Sequence, residues 1–313
     1  MDDTSAGAPE RQESPSRFGI VGLVGRPNAG KSTLLNAILG QKVSIVSDKP
    51  QTTRNRIVGI LNDARGQIAL LDTPGIHRPL HKMNVRMMDH ARSAFAEADV
   101  IAAIVDATEP SGKGDEFVLE MLREAEGTQR ILLLNKIDLL KKEKLLPILS
   151  RYHGTGLFEE LVPISAATRD GIDRLLALLF RMLPEGPPRY STEDFTTQPE
   201  RFFAAELVRE KLLHHTKEEL PYTTAVAVDR WEEEEGEGRI QIWATIFVER
   251  DSQKGIVVGK GGSMIKQIGT EARLELEQIL GASVRLDLHV AVRELWREDE
   301  RFLGELEWPL GRR

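Results

Sequence analysis

The sequence contains no cysteine, so disulfide bonds and thiolate-bound metal ions are excluded. A reducing compartment is the simplest setting for such a chain, and we predict a cytoplasmic protein. The formal net charge of −7 argues against a protein that binds polyanions over a generally basic surface. Any nucleic-acid site must therefore be local. Uninterrupted apolar runs are short, far below the ~20 residues that cross a bilayer.

Residues 1–16 are polar, include proline and serine, and begin with acidic side chains. They lack the order of a signal peptide, in which basic residues precede an apolar segment. We therefore predict a flexible N-terminal tail over residues 1–16.

Short apolar segments alternate with helical patterns between residues 17 and 183. Continuous apolar strands separated by helices are typical of an α/β domain whose mostly parallel sheet is covered on both faces. Ligands of such sheets bind at the carboxyl ends of the strands. The predicted strands are residues 18–25, 56–62, 66–72, 99–107, 129–136 and 161–166, and the predicted helices are 31–39, 82–97, 114–126 and 171–182.

The pattern changes at "PEGPPRY", residues 184–190, where three prolines and a glycine end the last helix. We predict a linker over residues 184–199 and a smaller α+β domain over residues 200–313. Its predicted elements are a helix at 200–217, a strand at 222–230, an acidic turn at 232–238, a strand at 239–249, a helix, a glycine-rich loop, a helix at 262–280 and a strand at 283–293.

The segment "GRPNAGKS", residues 25–32, fits the pattern G-x-x-x-x-G-K-[ST] between a strand and a helix. Its glycines let backbone N–H groups turn toward phosphate oxygens, and the helix N-terminus adds partial positive charge. Lys31 can reach the β- and γ-phosphates, and the Ser32 hydroxyl can bind Mg²⁺. The competing reading is an ordinary glycine-containing turn. The predicted nucleotide-binding residues of this segment are Gly25, Arg26, Pro27, Asn28, Ala29, Gly30, Lys31, Ser32 and Thr33.

Two further segments offer groups for the metal ion and the γ-phosphate. Asp72, in "LLDTPG", can hold Mg²⁺ through a water molecule, and the Gly75 N–H can contact the γ-phosphate. The polar loop "QTTRNR", residues 51–56, offers two threonine hydroxyls, Thr52 and Thr53, as metal ligands. In isolation, the DTPG segment could be an ordinary Pro-Gly turn, and a threonine-rich loop is common, so both assignments depend on the neighbouring motifs.

The segment "NKID", residues 135–138, selects the base. An Asp138 carboxylate can accept two hydrogen bonds from guanine, one from N1–H and one from the exocyclic amine, whereas adenine has no matching pair of donors. Asn135 and the stem of Lys136 can brace the loop and flank the ring. Backbone N–H groups of "SAA", through Ser165 and Ala166, can contact the guanine oxygen.

The segment "GIVVGKGG", residues 255–262, predicts an RNA-binding loop in the second domain. A G-x-x-G loop between two helices allows close approach of a nucleic-acid backbone, as in KH domains, which hold about four nucleotides of single strand. No acidic residue occurs from 252 to 270, so the positive charge is local. A glycine-rich turn without a ligand is the alternative. The predicted RNA-binding residues are Ile256, Gly259, Lys260, Gly261, Gly262, Ile265 and Lys266.

Taken in order, these motifs resemble those of the Era-like P-loop GTPases, and the resemblance covers residues 18–310. It implies a GTPase domain followed by a type II KH domain, with Mg²⁺ as cofactor and Thr53 rather than Thr52 as its ligand. It also implies binding of GTP and GDP, of the 3′ end of 16S ribosomal RNA and of the 30S subunit, whose maturation such proteins assist. Peripheral association with the inner membrane is known in the family, although no strong basic amphipathic helix supports it here. We expect a monomer.

Ile76 follows "DTPG", where other GTPases have a glutamine that orients the attacking water. Some Era-like relatives replace this function with K⁺, held partly by an asparagine that matches Asn28. Two interpretations of Asn28 remain open, a K⁺ ligand or a polar loop residue that bonds its own backbone. The residues predicted to support catalysis are Asn28, Lys31, Thr53 and Gly75.

Two functions are consistent with these motifs. The first is a GTP-hydrolysing switch whose KH domain holds ribosomal RNA during subunit assembly. The second is an RNA-binding adaptor or chaperone in which GTP is a structural ligand and its turnover is incidental, and Ile76 favours it. The seven histidines are scattered and do not form a metal-binding set.

Overall fold

A computed structural model of the chain describes residues 16–125, 127–234 and 238–307. The predicted N-terminal tail lies outside the described residues except for Ser16, as do residues 235–237 of the predicted acidic turn. In the described ranges, no helix combines the length and the apolar character that crossing a membrane requires.

The first sheet has six strands in the order β2-β3-β1-β4-β5-β6. β2 runs antiparallel to β3, whereas the other four neighbouring pairs are parallel, so the predicted mostly parallel sheet is confirmed. The carboxyl ends of β1, β3, β4 and β5 therefore meet along one edge. The strands are β1 Arg17–Gly25, β2 Ile57–Asp63, β3 Gly66–Asp72, β4 Val100–Asp106, β5 Gln129–Asn135 and β6 Glu160–Pro163.

Helices cover both faces of this sheet, because its central strands are apolar on both sides. Helices α1 and α5 pack on one face, and α2, α3 and α4 pack on the other. Helix α4 was not predicted, since Pro147 interrupts its pattern; proline is tolerated there because it lies in the first turn. The helices are α1 Lys31–Leu39, α2 Lys82–Glu97, α3 Lys113–Glu124, α4 Leu145–His153 and α5 Ile172–Met182.

Residues 184–199 run along β2, the edge strand of the sheet. The Ile60 N–H donates to the Phe195 carbonyl over 2.9 Å, and the Thr196 hydroxyl donates to the Val58 carbonyl over 2.7 Å. The segment thereby covers backbone groups that an exposed edge would leave unpaired. The domain limits, residues 17–183, 184–199 and 200–313, remain our proposal.

The second sheet has the order β7-β8-β9, with β7 and β8 antiparallel and β8 and β9 parallel. The predicted start of its first strand at residue 222 is wrong. Pro221 instead lies in the first turn of the short helix α7, which begins at Leu220, and β7 begins at Ala225. Helix α10 was not predicted. The elements are α6 Glu200–His215, α7 Leu220–Thr223, β7 Ala225–Glu234, β8 Arg239–Val248, α8 Asp251–Val258, α9 Ser263–Leu280, β9 Ser283–Val292 and α10 Glu300–Leu306.

Helix α6, the first helix of the second domain, packs between that domain's sheet and the first domain and is buried on most sides. Its sequence resembles that of a charged surface helix, yet Glu206, Arg209 and Glu210 are each less than a tenth exposed. Charged side chains are seldom buried unless they are paired. Their partners, described below, come partly from the first domain.

Candidate nucleotide site and RNA-binding loop

The loop between β1 and α1 borders a cavity of about 290 Å³ at the carboxyl edge of the sheet. Close packing explains two of the glycines that line this cavity, Gly30 in the loop and Gly75 in the DTPG segment. A Cβ on Gly30, where φ is +99°, would lie 2.2 Å from Asn135 Nδ2, and a Cβ on Gly75 would lie 2.6 Å from the Pro27 nitrogen. The loop therefore packs directly against both the DTPG and the NKID segments, so the three predicted motifs lie together.

Lys31 begins α1 and is buried beneath the loop. Its ammonium donates to the carbonyls of Gly25 and Arg26 over 3.2 and 2.8 Å. Burial lowers the pKa of Lys31 to about 8, and the charge of Asp72 opposes this effect. A buried ammonium group at a helix N-terminus, held by two backbone carbonyls near the Asp72 carboxylate, is suited to binding a phosphate.

Three oxygen-bearing side chains converge beside Lys31. Ser32 Oγ lies 2.8 Å from Thr53 Oγ1 and donates to Asp72 Oδ2 over 2.6 Å. Asp72 is fully buried, its Oδ1 has no hydrogen-bond partner among the described residues, and burial raises its pKa despite the hydrogen bond from Ser32. An unpartnered buried carboxylate oxygen beside two hydroxyls fits a hard divalent cation such as Mg²⁺.

The two threonines of the 51–56 loop have different partners. The Thr52 hydroxyl donates to the Lys49 carbonyl over 2.6 Å, away from Ser32, whereas the Thr53 hydroxyl faces Ser32. This geometry favours Thr53 as the metal ligand, in agreement with what the family resemblance implied.

Asn28 has the left-handed backbone conformation, with φ at +61°. Its Nδ2 donates over 2.6 Å to the carbonyl of Asp48, in the loop after α1. Among the described hydrogen bonds, the Asn28 amide has this partner and none in its own backbone, so the interpretation of Asn28 as a polar loop residue remains a prediction. The K⁺ interpretation remains a prediction.

Ile76 lies in the core beneath α2 and is only 1% exposed. Its N–H donates to the Gly25 carbonyl over 2.9 Å. The side chain points away from the cavity, so it neither orients water nor blocks access to the phosphates.

Asn135 joins the base-binding segments to the phosphate loop. Its Nδ2 donates to the Ala29 carbonyl over 2.8 Å, and its Oδ1 accepts from the Ala166 N–H over 2.9 Å. The Ser165 N–H donates to the Asp170 carbonyl over 2.9 Å. Guanine bound at this loop would therefore have to share the Ala166 N–H with Asn135.

Asp138 follows in a single 3-10 turn and is exposed, so its carboxylate is free to meet a base. Lys136, in the left-handed conformation, forms an ion pair with Asp106 at the end of β4. Burial alone would raise the pKa of Asp106, but hydrogen bonds from Lys136 and Thr108 lower it overall. The ion pair holds the Lys136 stem at the sheet edge, where it can flank a purine.

The GKGG loop joins α8 to α9 in the second domain, apart from the nucleotide cavity. Gly261 and Gly262 have φ values of +61° and +78°, and a Cβ on either would meet no described atom within 4 Å, so the loop backbone is accessible. Lys260 and Lys266 are exposed, and Ile256 is 52% exposed. Ile265 is partly buried and packs against the core under α9, so it offers only part of its surface to a ligand.

Comparison with known proteins identifies both domains. Residues 20–136 match the family described as 50S ribosome-binding GTPase, and residues 219–297 match the KH domain family. The chain is 48% identical over 282 residues to GTPase Era of Heliobacterium modesticaldum, covering 90% of this chain and 94% of that protein. It is also 48% identical to GTPase Era of Geobacter metallireducens, covering 94% and 98%.

The chain belongs to the Era family of GTPases. Two solved Era structures share its architecture, each at 38% identity and covering 93% of this chain and 98% of the other. Era in complex with MgGDPNP and nucleotides 1506–1542 of 16S ribosomal RNA superposes with a TM-score of 0.90. A single-residue variant of Aquifex aeolicus Era bound to GDP·AlF4⁻ superposes with a TM-score of 0.89.

Several site residues of this Era-family chain were missed by sequence reasoning. Ser44 donates to Asp72 Oδ2 over 2.9 Å, and Asn36 fixes the backbone of residues 43 and 44 with its Oδ1. Gln51 Nε2 lies 3.2 Å from His77 Nε2, linking the two loops that border the cavity. Gln51 and His77 lie in or beside segments that were singled out, but nothing in their residue types indicated a contact between them, whereas Asn36 and Ser44 lie outside the quoted motifs and only the fold brings them to the site.

Proposed function

We propose that this GTPase binds GTP with Mg²⁺, hydrolyses it to GDP and phosphate, and holds 16S ribosomal RNA with its KH domain during maturation of the 30S subunit. The observation that carries the proposal is the convergence of Ser32, Thr53 and the unpartnered Asp72 Oδ1 beside buried Lys31. The relative solved with MgGDPNP and an RNA segment of 16S ribosomal RNA supports both halves of the proposal.

Ser32, Thr53 and Asp72 would hold Mg²⁺, which when bound neutralises charge on the phosphates. Lys31 places a positive charge at the β- and γ-phosphates, and the Gly75 N–H supplies a hydrogen bond there. The GKGG loop admits the RNA backbone, with Lys260 and Lys266 as its positive charges. The proposed site of action is the cytoplasm, with the protein as a monomer; peripheral contact with the inner membrane remains a prediction.

We expect RNA to stimulate GTP turnover. If the protein is a switch, an RNA of the sequence of 16S nucleotides 1506–1542, or a 30S particle, should raise the hydrolysis rate by about tenfold or more, because Ile76 stands where other GTPases have a water-orienting glutamine and leaves room for stimulation by a partner. The measurement is phosphate release at saturating GTP. An unchanged rate would instead favour the adaptor, in which turnover is incidental, a function that the buried Ile76 side chain supports.

K⁺ is the proposed substitute for the missing side chain. We expect turnover to fall by about tenfold when Na⁺ replaces K⁺, since a monovalent cation near Asn28 would neutralise charge that develops between the β- and γ-phosphates. Asn28→Asp should alter this ratio of rates, whereas Asn55→Asp, in a loop residue away from the cavity lining, should not. Equal rates of the unchanged protein in both salts would exclude the ion.

A further inference from the structure

The predicted metal ligand Thr53 is flanked on both sides by residues that the KH domain holds. On one side, the Thr52 carbonyl accepts a hydrogen bond from Arg209 of helix α6. On the other, the Arg54 side chain leaves the GTPase domain and donates to the carbonyls of Pro221 and Thr224 over 2.9 and 2.7 Å. A backbone displacement that carries Thr53 away from Ser32 would therefore disturb contacts between the domains.

Arg209 and Arg54 each have several partners, but neither guanidinium has all of its donors hydrogen-bonded. Glu206 Oε1 accepts from Arg209 Nε over 2.7 Å, and the Arg54 guanidinium lies over the Trp296 ring at 5.7 Å. Two buried donors, Arg54 Nε and Arg209 Nη1, nevertheless have no hydrogen-bond partner in the part of the chain that the structure describes. Burying an unpaired donor costs free energy. Separation of the domains would recover this cost, which offsets part of the stabilisation that docking provides. A contact of this kind is suited to opening and closing.

A second set of contacts joins helix α6 to the start of the loop that carries Thr53, residues 42–54. Glu210, on α6, accepts from the Val46 N–H over 2.9 Å and from the Lys42 ammonium over 2.6 Å. Lys42 also donates to Glu275 of α9 over 2.5 Å. Helix α9 begins at the GKGG loop, so ion pairs connect the RNA-binding helix to the loop that carries Thr53.

These contacts make the 42–54 loop and the docked KH domain mutually dependent. If the loop moves, the Thr52 carbonyl leaves Arg209, and the carbonyls of Pro221 and Thr224 lose Arg54. A buried charge that loses its partner is strongly destabilising. If the domains separate instead, the same charged groups are solvated by water. The loop and the KH domain should therefore change position together, as one two-state element.

We propose that Arg54 and Arg209 are positioning residues that hold Thr53 at the metal site only while the KH domain is docked. The inference rests on the proposed function and deepens it, because it names the residues through which nucleotide state and RNA binding are coupled. By reciprocity, RNA that favours the docked arrangement favours GTP by the same factor as GTP favours RNA.

The test uses the full chain and compares Arg54→Ala with Arg56→Ala. Arg56, two residues along, pairs with Glu97 over 2.6 Å inside the GTPase domain and is the matched control. The dissociation constant of a labelled RNA of 16S nucleotides 1506–1542 is measured with Mg²⁺ and GDPNP and again with Mg²⁺ and GDP. A ratio of about 10 is expected for the unchanged protein, within the usual range for coupled sites.

Arg54→Ala should bring this ratio to within about twofold of one, while Arg56→Ala retains it. The double substitution Glu206→Gln with Arg209→Gln removes the buried ion pair without leaving a lone charge, and it should have the same effect if Arg54→Ala fails to fold. Thermal melting identifies such a failure. Retention of the full ratio in Arg54→Ala, or in the double variant, would overturn the inference. A ratio of one in the unchanged protein would overturn the proposed switch itself.

Discussion

Replacing Asp138 with asparagine is expected to weaken GTP binding by about 100-fold or more and to make xanthosine triphosphate the preferred ligand. The carboxylate accepts two charge-assisted hydrogen bonds from guanine, each worth about 1.5–3 kcal/mol. The asparagine amide offers one acceptor and one donor, which matches xanthine because xanthine has a carbonyl where guanine has its exocyclic amine. The exposed position of Asp138 means that the change leaves the core intact. Fluorescent nucleotide titration measures both affinities.

Glu143→Gln is the control for this substitution. Glu143 lies in the next 3-10 turn, is exposed, and has no predicted contact with the base, so the same change of charge should leave nucleotide preference unaltered. If Asp138→Asn binds GTP as tightly as the unchanged protein and gains no affinity for xanthosine triphosphate, the assignment of residues 135–138 to the base is wrong.

Reversing the charge of the GKGG loop with Lys260→Asp and Gly261→Asp should weaken RNA binding by about 100-fold or more at a fixed salt concentration. The double substitution places two negative charges where RNA phosphates approach and removes one positive charge. The loop should keep its shape, because a Cβ on Gly261 meets no described atom within 4 Å and aspartate is among the residues that tolerate positive φ. Nucleotide affinity should be unchanged in the absence of RNA.

Gly281→Asp provides the matched control at the opposite end of α9. Gly281 also has positive φ, at +63°, and open space around its Cβ, so the substitution imposes similar backbone strain without touching the loop. RNA affinity should stay within about twofold of the unchanged protein. A loop variant that still binds RNA at full affinity would place the RNA on another surface.

Much of the nucleotide site could be predicted because its groups stand in short, contiguous motifs at strand ends. Once the strands were placed, the parallel sheet itself brought the segments at 25–32, 72–75 and 135–138 to one edge. The choice of Thr53 over Thr52 is different. It depended on family resemblance, since both hydroxyls stand in the same loop and only their partners, Ser32 and the Lys49 carbonyl, distinguish them.

The contacts between the domains could not be predicted, because they join residues far apart in the chain that carry no local signal. Arg209 and Glu210 look like exposed charges on a surface helix, yet α6 is buried by elements on both sides. The Asn28 amide was assigned either a cation or its own backbone. It bonds Asp48, 20 residues away, because the loop after α1 folds back over the cavity.

The most direct test of the nucleotide site is a crystal structure of the full chain with Mg²⁺ and GDPNP. We expect the guanine edge at Asp138, the β- and γ-phosphates at Lys31, and one Mg²⁺ bound by Ser32 and Thr53 with Asp72 behind it. A nucleotide bound elsewhere, or in this cavity with its guanine edge turned away from Asp138, would contradict the assignment.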